Sequence, residues 1–74
     1  MTEHEIRELF QRQPVPILRL HLVGGMTFDI RDPDDLVLGT FTVEIALPPD
    51  GPLDREAVVN LSQVLWVEVI TPMD

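Results

Sequence analysis

Residues 17–31 constrain the fold more than any other segment; they read Ile-Leu-Arg-Leu-His-Leu-Val-Gly-Gly-Met-Thr-Phe-Asp-Ile-Arg. Apolar and polar residues alternate on both sides of the glycine pair at 24–25, which is typical of two antiparallel strands joined by a tight turn. A two-residue turn at the glycines would place Leu20 beside Asp29. Each face of the hairpin would then mix apolar and charged side chains.

A three-residue loop at 23–25, with Gly25 in the left-handed conformation, removes this conflict. Leu22 then pairs with Met26, Leu20 with Phe28, and Leu18 with Ile30. One face of the hairpin becomes entirely apolar. The other face carries Arg19 opposite Asp29 and His21 opposite Thr27, which includes a complementary charge pair. We therefore predict an antiparallel hairpin in this register.

The chain has 74 residues, a length that allows one domain. At this size only about 60% of the surface of the unfolded chain is buried on folding, so a core built from one chain is marginally stable. The sequence contains no cysteine and no cysteine–histidine cluster at zinc spacing. We predict no cofactor and no structural metal, and we expect association of identical subunits to supply the missing burial.

The net charge of −8 is unevenly distributed. Residues 1–31 hold four acids and four arginines, whereas residues 32–74 hold nine acids and only Arg55. Nucleic acid is disfavoured as a partner, because its binding depends on clustered lysine and arginine and the chain has no lysine.

No apolar run approaches the roughly 18 to 20 residues of a membrane span, and the N-terminus is acidic. We expect a soluble, cytoplasmic protein with no membrane partner.

An N-terminal helix is predicted within residues 1–13. Thr2 and Glu5 have the spacing of a capping box, which marks the start of a helix. Three apolar residues follow at helical spacing, Ile6, Leu9 and Phe10, and two acid–arginine pairs lie four residues apart, Glu3 with Arg7 and Glu8 with Arg12. The prolines at 14 and 16 prevent the helix from continuing. So short a helix must dock on the sheet or on a neighbouring subunit.

The acidic run at 32–35 predicts a turn, and Leu36 begins a new extended segment. From residue 40 to 47 the alternation is strict, which predicts a half-buried strand. The residues that we expect to point inward are Phe41, Val43, Ile45 and Leu47.

The loop at 48–52 contains three prolines, which should prevent it from pairing with a sheet. Residues 57–61 predict a fourth strand, Ser62 and Gln63 a tight turn, and residues 64–70 a fifth strand. This last strand is apolar on both faces apart from Glu68. If alternation is strict, either Leu65, Val67 and Val69 or Val64, Trp66 and Ile70 face the core, and a second subunit must cover the other set.

These elements predict a mainly β protein: a short N-terminal helix followed by a five-stranded, strongly bent antiparallel sheet that forms a small barrel. The whole chain, 1–74, is one domain, with the barrel at 15–70 and a tail at 71–74. Three segments resemble the Sm-like proteins, a branch of the SH3-like barrels: the first hairpin at 22–28, Asp-Leu-Val-Leu at 35–38, and the closing turn at 59–64. The chain also resembles small bacterial proteins with an N-terminal helix and a proline-flanked hairpin.

The Sm-like resemblance implies a ring of identical subunits, in which the fourth strand of one subunit pairs with the fifth strand of the next. The candidate interface residues are Val58, Val64, Trp66, Val67 and Ile70. The resemblance also implies a binding loop at Asp35, Asn60 and Ser62. Asp35 stands where the family usually has a base-reading asparagine, and Asn60 and Leu61 stand where it usually has arginine and glycine. These differences from the family weaken the expectation that the protein binds RNA.

The sequence contains few residues that could carry out catalysis. Ser62, the only serine, has no histidine near it in sequence, and no cysteine or lysine can replace it as a nucleophile. The acids Asp29, Asp32, Asp34 and Asp35 lack EF-hand spacing, so we interpret them as a solvated turn and not as a metal site. His21 lacks the companion ligands of a metal site. We predict that the protein is not an enzyme.

The predicted function is a non-catalytic binding or assembly module that forms a homo-oligomer. Its predicted partners are further copies of itself and an unidentified protein. An RNA-binding Sm-like regulator is the alternative. Trp66 is equally compatible with core packing and with a role as an interface anchor.

Overall fold

A computed structural model describes residues 1–73, so the last residue of the predicted tail at 71–74 lies outside the described residues. The elements are helix α1 Glu3–Phe10 and strands β1 Ile17–Leu22, β2 Thr27–Ile30, β3 Leu36–Leu38, β4 Thr42–Asp50, β5 Leu53–Asn60 and β6 Val64–Ile70, with 3₁₀ turns at Pro33–Asp35 and Leu61–Gln63. The strands form two three-stranded antiparallel sheets: sheet A, in the order β2-β1-β6, and sheet B, in the order β3-β4-β5.

The predicted register of the first hairpin is confirmed. Leu18 pairs with Ile30, Arg19 with Asp29, Leu20 with Phe28, and His21 with Thr27. The Leu22 amide donates to the Met26 carbonyl over 2.9 Å, and Gly25 N donates to Leu22 O over 3.1 Å. Gly24 and Gly25 both have φ near +90°, which residues with a Cβ rarely adopt. The loop at 23–25 therefore depends on both glycines.

Helix α1 begins where the capping box predicts, since the Thr2 hydroxyl accepts a hydrogen bond from the Glu5 amide over 3.3 Å. The helix ends at Phe10, before the predicted end at residue 13. Arg7 binds Glu3 as predicted, whereas Glu8 contacts His4 over 2.9 Å. No helix within residues 1–73 is both long and apolar enough to cross a membrane.

The prediction of five strands is wrong, because a turn divides the third one. The Gly39 amide donates to the Thr42 carbonyl over 2.8 Å, and this bond closes a tight turn between β3 and β4. The segment that begins at Leu36 is thus a strand of its own. Phe41 lies in the turn and is exposed, so it does not point inward as the alternation predicted.

The proline-rich segment at 48–52 was predicted to stay out of the sheet, yet β4 runs through Pro48 to Asp50. The ladder between β4 and β5 shifts register after Leu47, so Pro48 and Pro49 have no cross-strand partner. Their missing N–H groups therefore remove no hydrogen bond from the ladder. Arg55 holds this segment: its Nε and Nη2 donate to the Pro48 carbonyl over 3.1 and 3.0 Å. Strand β5 consequently begins at residue 53, not at 57.

The core lies between the two sheets under α1. The buried apolar residues form one cluster: Ile6, Leu18, Leu20, Leu22, Ile30, Val43, Ile45, Val59, Leu61 and Val64. Leu9 and Phe10 pack against this cluster, so the apolar stripe of the helix docks on the chain's own core. The fold is mainly β and antiparallel, as predicted, but the two sheets do not close into a barrel.

The 3₁₀ turn Leu61–Gln63 links sheet B to sheet A and is bonded to both. Its Leu61 amide donates to the Phe41 carbonyl beside sheet B over 2.8 Å. Its Gln63 carbonyl accepts from the Val23 amide in the hairpin loop of sheet A over 3.0 Å. The buried side chain of Leu61 holds the turn on the core.

Replacing Ile6 with alanine tests the docking of α1. Ile6 is fully buried, so we expect Ile6→Ala to lower the free energy of unfolding by about 2–5 kcal/mol. Val23→Ala, at an exposed loop position, is the control and should stay within about 0.5 kcal/mol of the parent chain. Urea unfolding followed by circular dichroism, at one fixed protein concentration, measures both. Equal effects of the two substitutions would contradict the docking.

Candidate functional site

Strand β6 contains a β-bulge at the point where it faces His21 and Leu22. Leu22 pairs with Val64 and His21 pairs with Trp66, so Leu65 is an extra residue in the ladder. A bulge of this kind interrupts the in-and-out alternation of side chains. Val64 is buried in the core, whereas Leu65 and Trp66 both point outward and are 67% and 53% exposed.

Beyond the bulge the regular alternation resumes. Val67 and Val69 pack against the core, while Glu68 lies on the outer face of sheet A opposite Arg19. The expectation that one of two strictly alternating sets faces the core is therefore wrong, since Val64 and Val67 both face inward. Trp66 lies outside the core.

The imidazole of His21 and the indole of Trp66 stack face to face. Their ring centroids are 3.7 Å apart, and the ring planes differ by 6°. His21 Nε2 lies 3.1 Å from Glu68 Oε1, at hydrogen-bond distance. One face of the indole is thus covered by a ring that is itself held by a carboxylate.

Beside this stack, Arg19 and Asp29 form the predicted charge pair. Arg19 Nε donates to Asp29 Oδ1 over 2.7 Å, and Nη2 donates to Oδ2 over 3.1 Å. These hydrogen bonds hold the pKa of Asp29 below its usual range, and the charges of Arg19, Arg31 and His21 act in the same direction. The hydrogen bond to Asp29 likewise raises the pKa of Arg19.

Both β6 and β5 are edge strands. Strand β6 pairs only with β1, and β5 pairs only with β4, among the residues that the structure describes. Each therefore presents a row of backbone amides and carbonyls without a partner strand. Val58, on the outer face of β5, is 62% exposed. Two open edges thus carry exposed apolar side chains.

The five candidate interface residues differ from one another in exposure. Val58 and Trp66 are exposed on the edge strands, and Ile70 is half-buried at the end of β6. Val67 packs against the core and Val64 belongs to it, so these two side chains are covered within the chain. At an interface between subunits they could contribute only through the backbone of β6.

The candidate binding loop is not brought together around one cavity. Asp35 belongs to the first 3₁₀ turn and lines two open clefts, neither of which is lined by Asn60 or Ser62. The Asn60 Oδ1 atom accepts hydrogen bonds from the amide and the hydroxyl of Ser62, both over 3.0 Å. Asn60 and Ser62 therefore cap the second 3₁₀ turn.

The acidic run at 32–35 forms the predicted turn. The Asp32 carboxylate accepts a hydrogen bond from the Asp34 amide over 2.9 Å and so caps the first 3₁₀ turn. Within residues 1–73, no group of three or more histidine, cysteine, aspartate or glutamate side chains is arranged to hold a metal ion.

Comparisons of the chain with models of protein families, with curated proteins and with solved structures find no match. The resemblance to Sm-like proteins stays a prediction from the residues that carry it.

Low pH tests the Arg19–Asp29 pair. Because the pKa of Asp29 is lowered, the pair stabilises the fold above the ordinary carboxyl pKa and loses this contribution as pH falls through the lowered value. We expect Asp29→Asn to flatten the dependence of unfolding free energy on pH below about pH 4. Urea midpoints measured from pH 2 to pH 7 test this.

Arg19→Gln is the companion variant for this measurement. It should flatten the same pH range, and combining it with Asp29→Asn should add little, because each substitution removes the same bidentate pair. An Asp29→Asn protein that keeps the parent's dependence below pH 4 would contradict the assignment.

Proposed function

We propose that the chain is a non-catalytic assembly module that forms a homo-oligomer, in which the open edge of β6 in one subunit pairs with the open edge of β5 in the next. The observation that carries this proposal is the bulge in β6, which turns Leu65 and Trp66 outward on an edge strand. Bulges commonly re-aim side chains near functional sites, and tryptophan is enriched among interface anchors.

The character of the β6 edge supports pairing with another chain. Monomeric proteins usually protect such edges with charged residues or prolines. Strand β6 contains no proline, and its one charged residue, Glu68, is engaged with His21. An added strand would satisfy the free backbone groups and cover the exposed apolar side chains.

Pairing of β5 with β6 would join two different surfaces. Such a head-to-tail contact produces a ring if the rotation between subunits closes, and an open filament if it does not. The strands involved correspond to the predicted fourth and fifth strands, whose pairing the Sm-like resemblance implies. A closed ring of identical subunits is therefore our proposal for the mature form.

The net charge favours a homo-oligomeric assembly module over an RNA-binding regulator. Every subunit adds a net charge of −8, so an oligomer would repel a polyphosphate strongly. Arg19, on the outer face of sheet A, is already bound to Asp29. Asn60 and Ser62, in the predicted binding loop, are bound to each other.

Light scattering at micromolar concentration tests the assembly. We expect a mass that is a multiple of the 8.4 kDa subunit. Val58→Lys should lower the mass to that of one subunit, because it adds a charge to the proposed edge contact. Val37→Lys is the matched control: Val37 is 64% exposed and lies on β3, so the oligomer should persist. A folded wild-type monomer would overturn the proposal.

The same preparation tests the alternative function. We expect no binding of oligo-U or oligo-A RNA even at low salt, measured by fluorescence anisotropy of labelled RNA. Micromolar affinity that falls steeply with added salt would show phosphate contacts and favour the RNA-binding regulator instead.

A further inference from the structure

We propose that His21 is a positioning residue for Trp66: its imidazole stacks on one face of the indole and holds it in place, so that the other face packs on Val58 of a second copy of this chain. This inference rests on the proposed assembly and names the contact at its centre. In that assembly, the stack of His21 on Trp66 contributes to recognition between subunits.

The imidazole of His21 supports the indole of Trp66 from one side. Trp66 is half-exposed, and an exposed tryptophan on an edge strand ordinarily samples several rotamers. Here the stack on His21, with parallel rings 3.7 Å apart, fixes one orientation. A side chain that is ordered before association loses less entropy when the partner arrives, and this strengthens binding.

His21 is itself held in place on sheet A. It lies on β1, the central strand of sheet A, between Thr27 on one side and Trp66 on the other. Its ring lies 3.1 Å from the Glu68 carboxylate, and only 23% of its side chain is exposed. Glu68 thus orients His21, and His21 orients Trp66.

The bulge in β6 brings the two rings together. Continued without interruption from the Leu22–Val64 pair, the ladder would place Leu65 opposite His21. The extra residue moves Trp66 into that position, where the two rings can stack. The bulge and the stack therefore act together to present the indole at the β6 edge.

Strand β5 of a second copy supplies the residue that packs on the free face of the indole. If β5 of a second copy pairs with β6, its outer face continues the outer face of sheet A. The outward residues of β5 are Asp54, Glu56, Val58 and Asn60. Val58 is the apolar one among them, and it is exposed, so it can cover the indole.

Three variants of His21 separate stacking from hydrogen bonding. His21→Phe keeps a flat ring, His21→Gln keeps a group that can bond to Glu68, and His21→Thr keeps neither. We expect His21→Phe to associate within about twofold of wild type, whereas the Gln and Thr variants weaken association by about three- to tenfold, the usual range for an aromatic pair. Analytical ultracentrifugation over a dilution series gives the dissociation constants.

Trp66 is the chain's single tryptophan, so its fluorescence reports on the stack directly. In subunits diluted to the monomer, fluorescence anisotropy should be lower in His21→Thr than in wild type, because the indole is released. His21→Phe should restore it. Far-UV circular dichroism checks that every variant keeps the β fold.

A double-mutant cycle tests the occupant. In a Trp66→Thr background, Val58→Thr should have little further effect on the dissociation constant, because the two side chains form one contact. Wild-type association in His21→Gln, equal losses in His21→Phe and His21→Thr, or additive effects in the cycle would each overturn the inference and leave the assembly intact. A wild-type chain that never associates would overturn the proposed function as well.

Discussion

The pairing of β1 with β2 is the constraint on which the rest of the structure depends. Strand β1 is the central strand of sheet A, so its register determines both faces of that sheet. Leu18 and Leu20 point inward and are fully buried in the core that α1 covers. Arg19 and His21 point outward and organise the charge pair and the aromatic stack. A shift of one residue would exchange these two sets.

The sequence could predict the elements that depend on local patterns: the hairpin register, the helix cap at Thr2 and the bounds of the last strand. Sequence patterns did not correctly predict the elements that depend on tertiary contacts. Alternation from residue 40 concealed the turn closed by Gly39 and Thr42, because periodicity alone does not detect a chain reversal. The prolines of β4 fit into the sheet because a register shift leaves them unpaired, and composition carries no sign of that shift.

The candidate site was predictable in part. The Arg19–Asp29 pair follows from the hairpin register, since the partners lie opposite each other. The stack of His21 on Trp66 does not, because it brings together the first and the last strand of the chain and depends on a bulge. The run Val-Leu-Trp-Val at 64–67 was the available signal: unbroken apolar residues on an edge strand conflict with strict alternation. Strict alternation left the position of Trp66 undecided.

The 3₁₀ turn between β5 and β6 has a consequence for stoichiometry in the proposed assembly. Its bonds to Phe41 and Val23 fix the angle between the two open edges within one subunit. Since each subunit would join the next through those edges, that internal angle sets the rotation from one subunit to the next. In that assembly, the number of subunits in a closed ring would depend on an angle set inside the monomer, by a turn of three residues held by Leu61, as well as on the strand pairing at the contact.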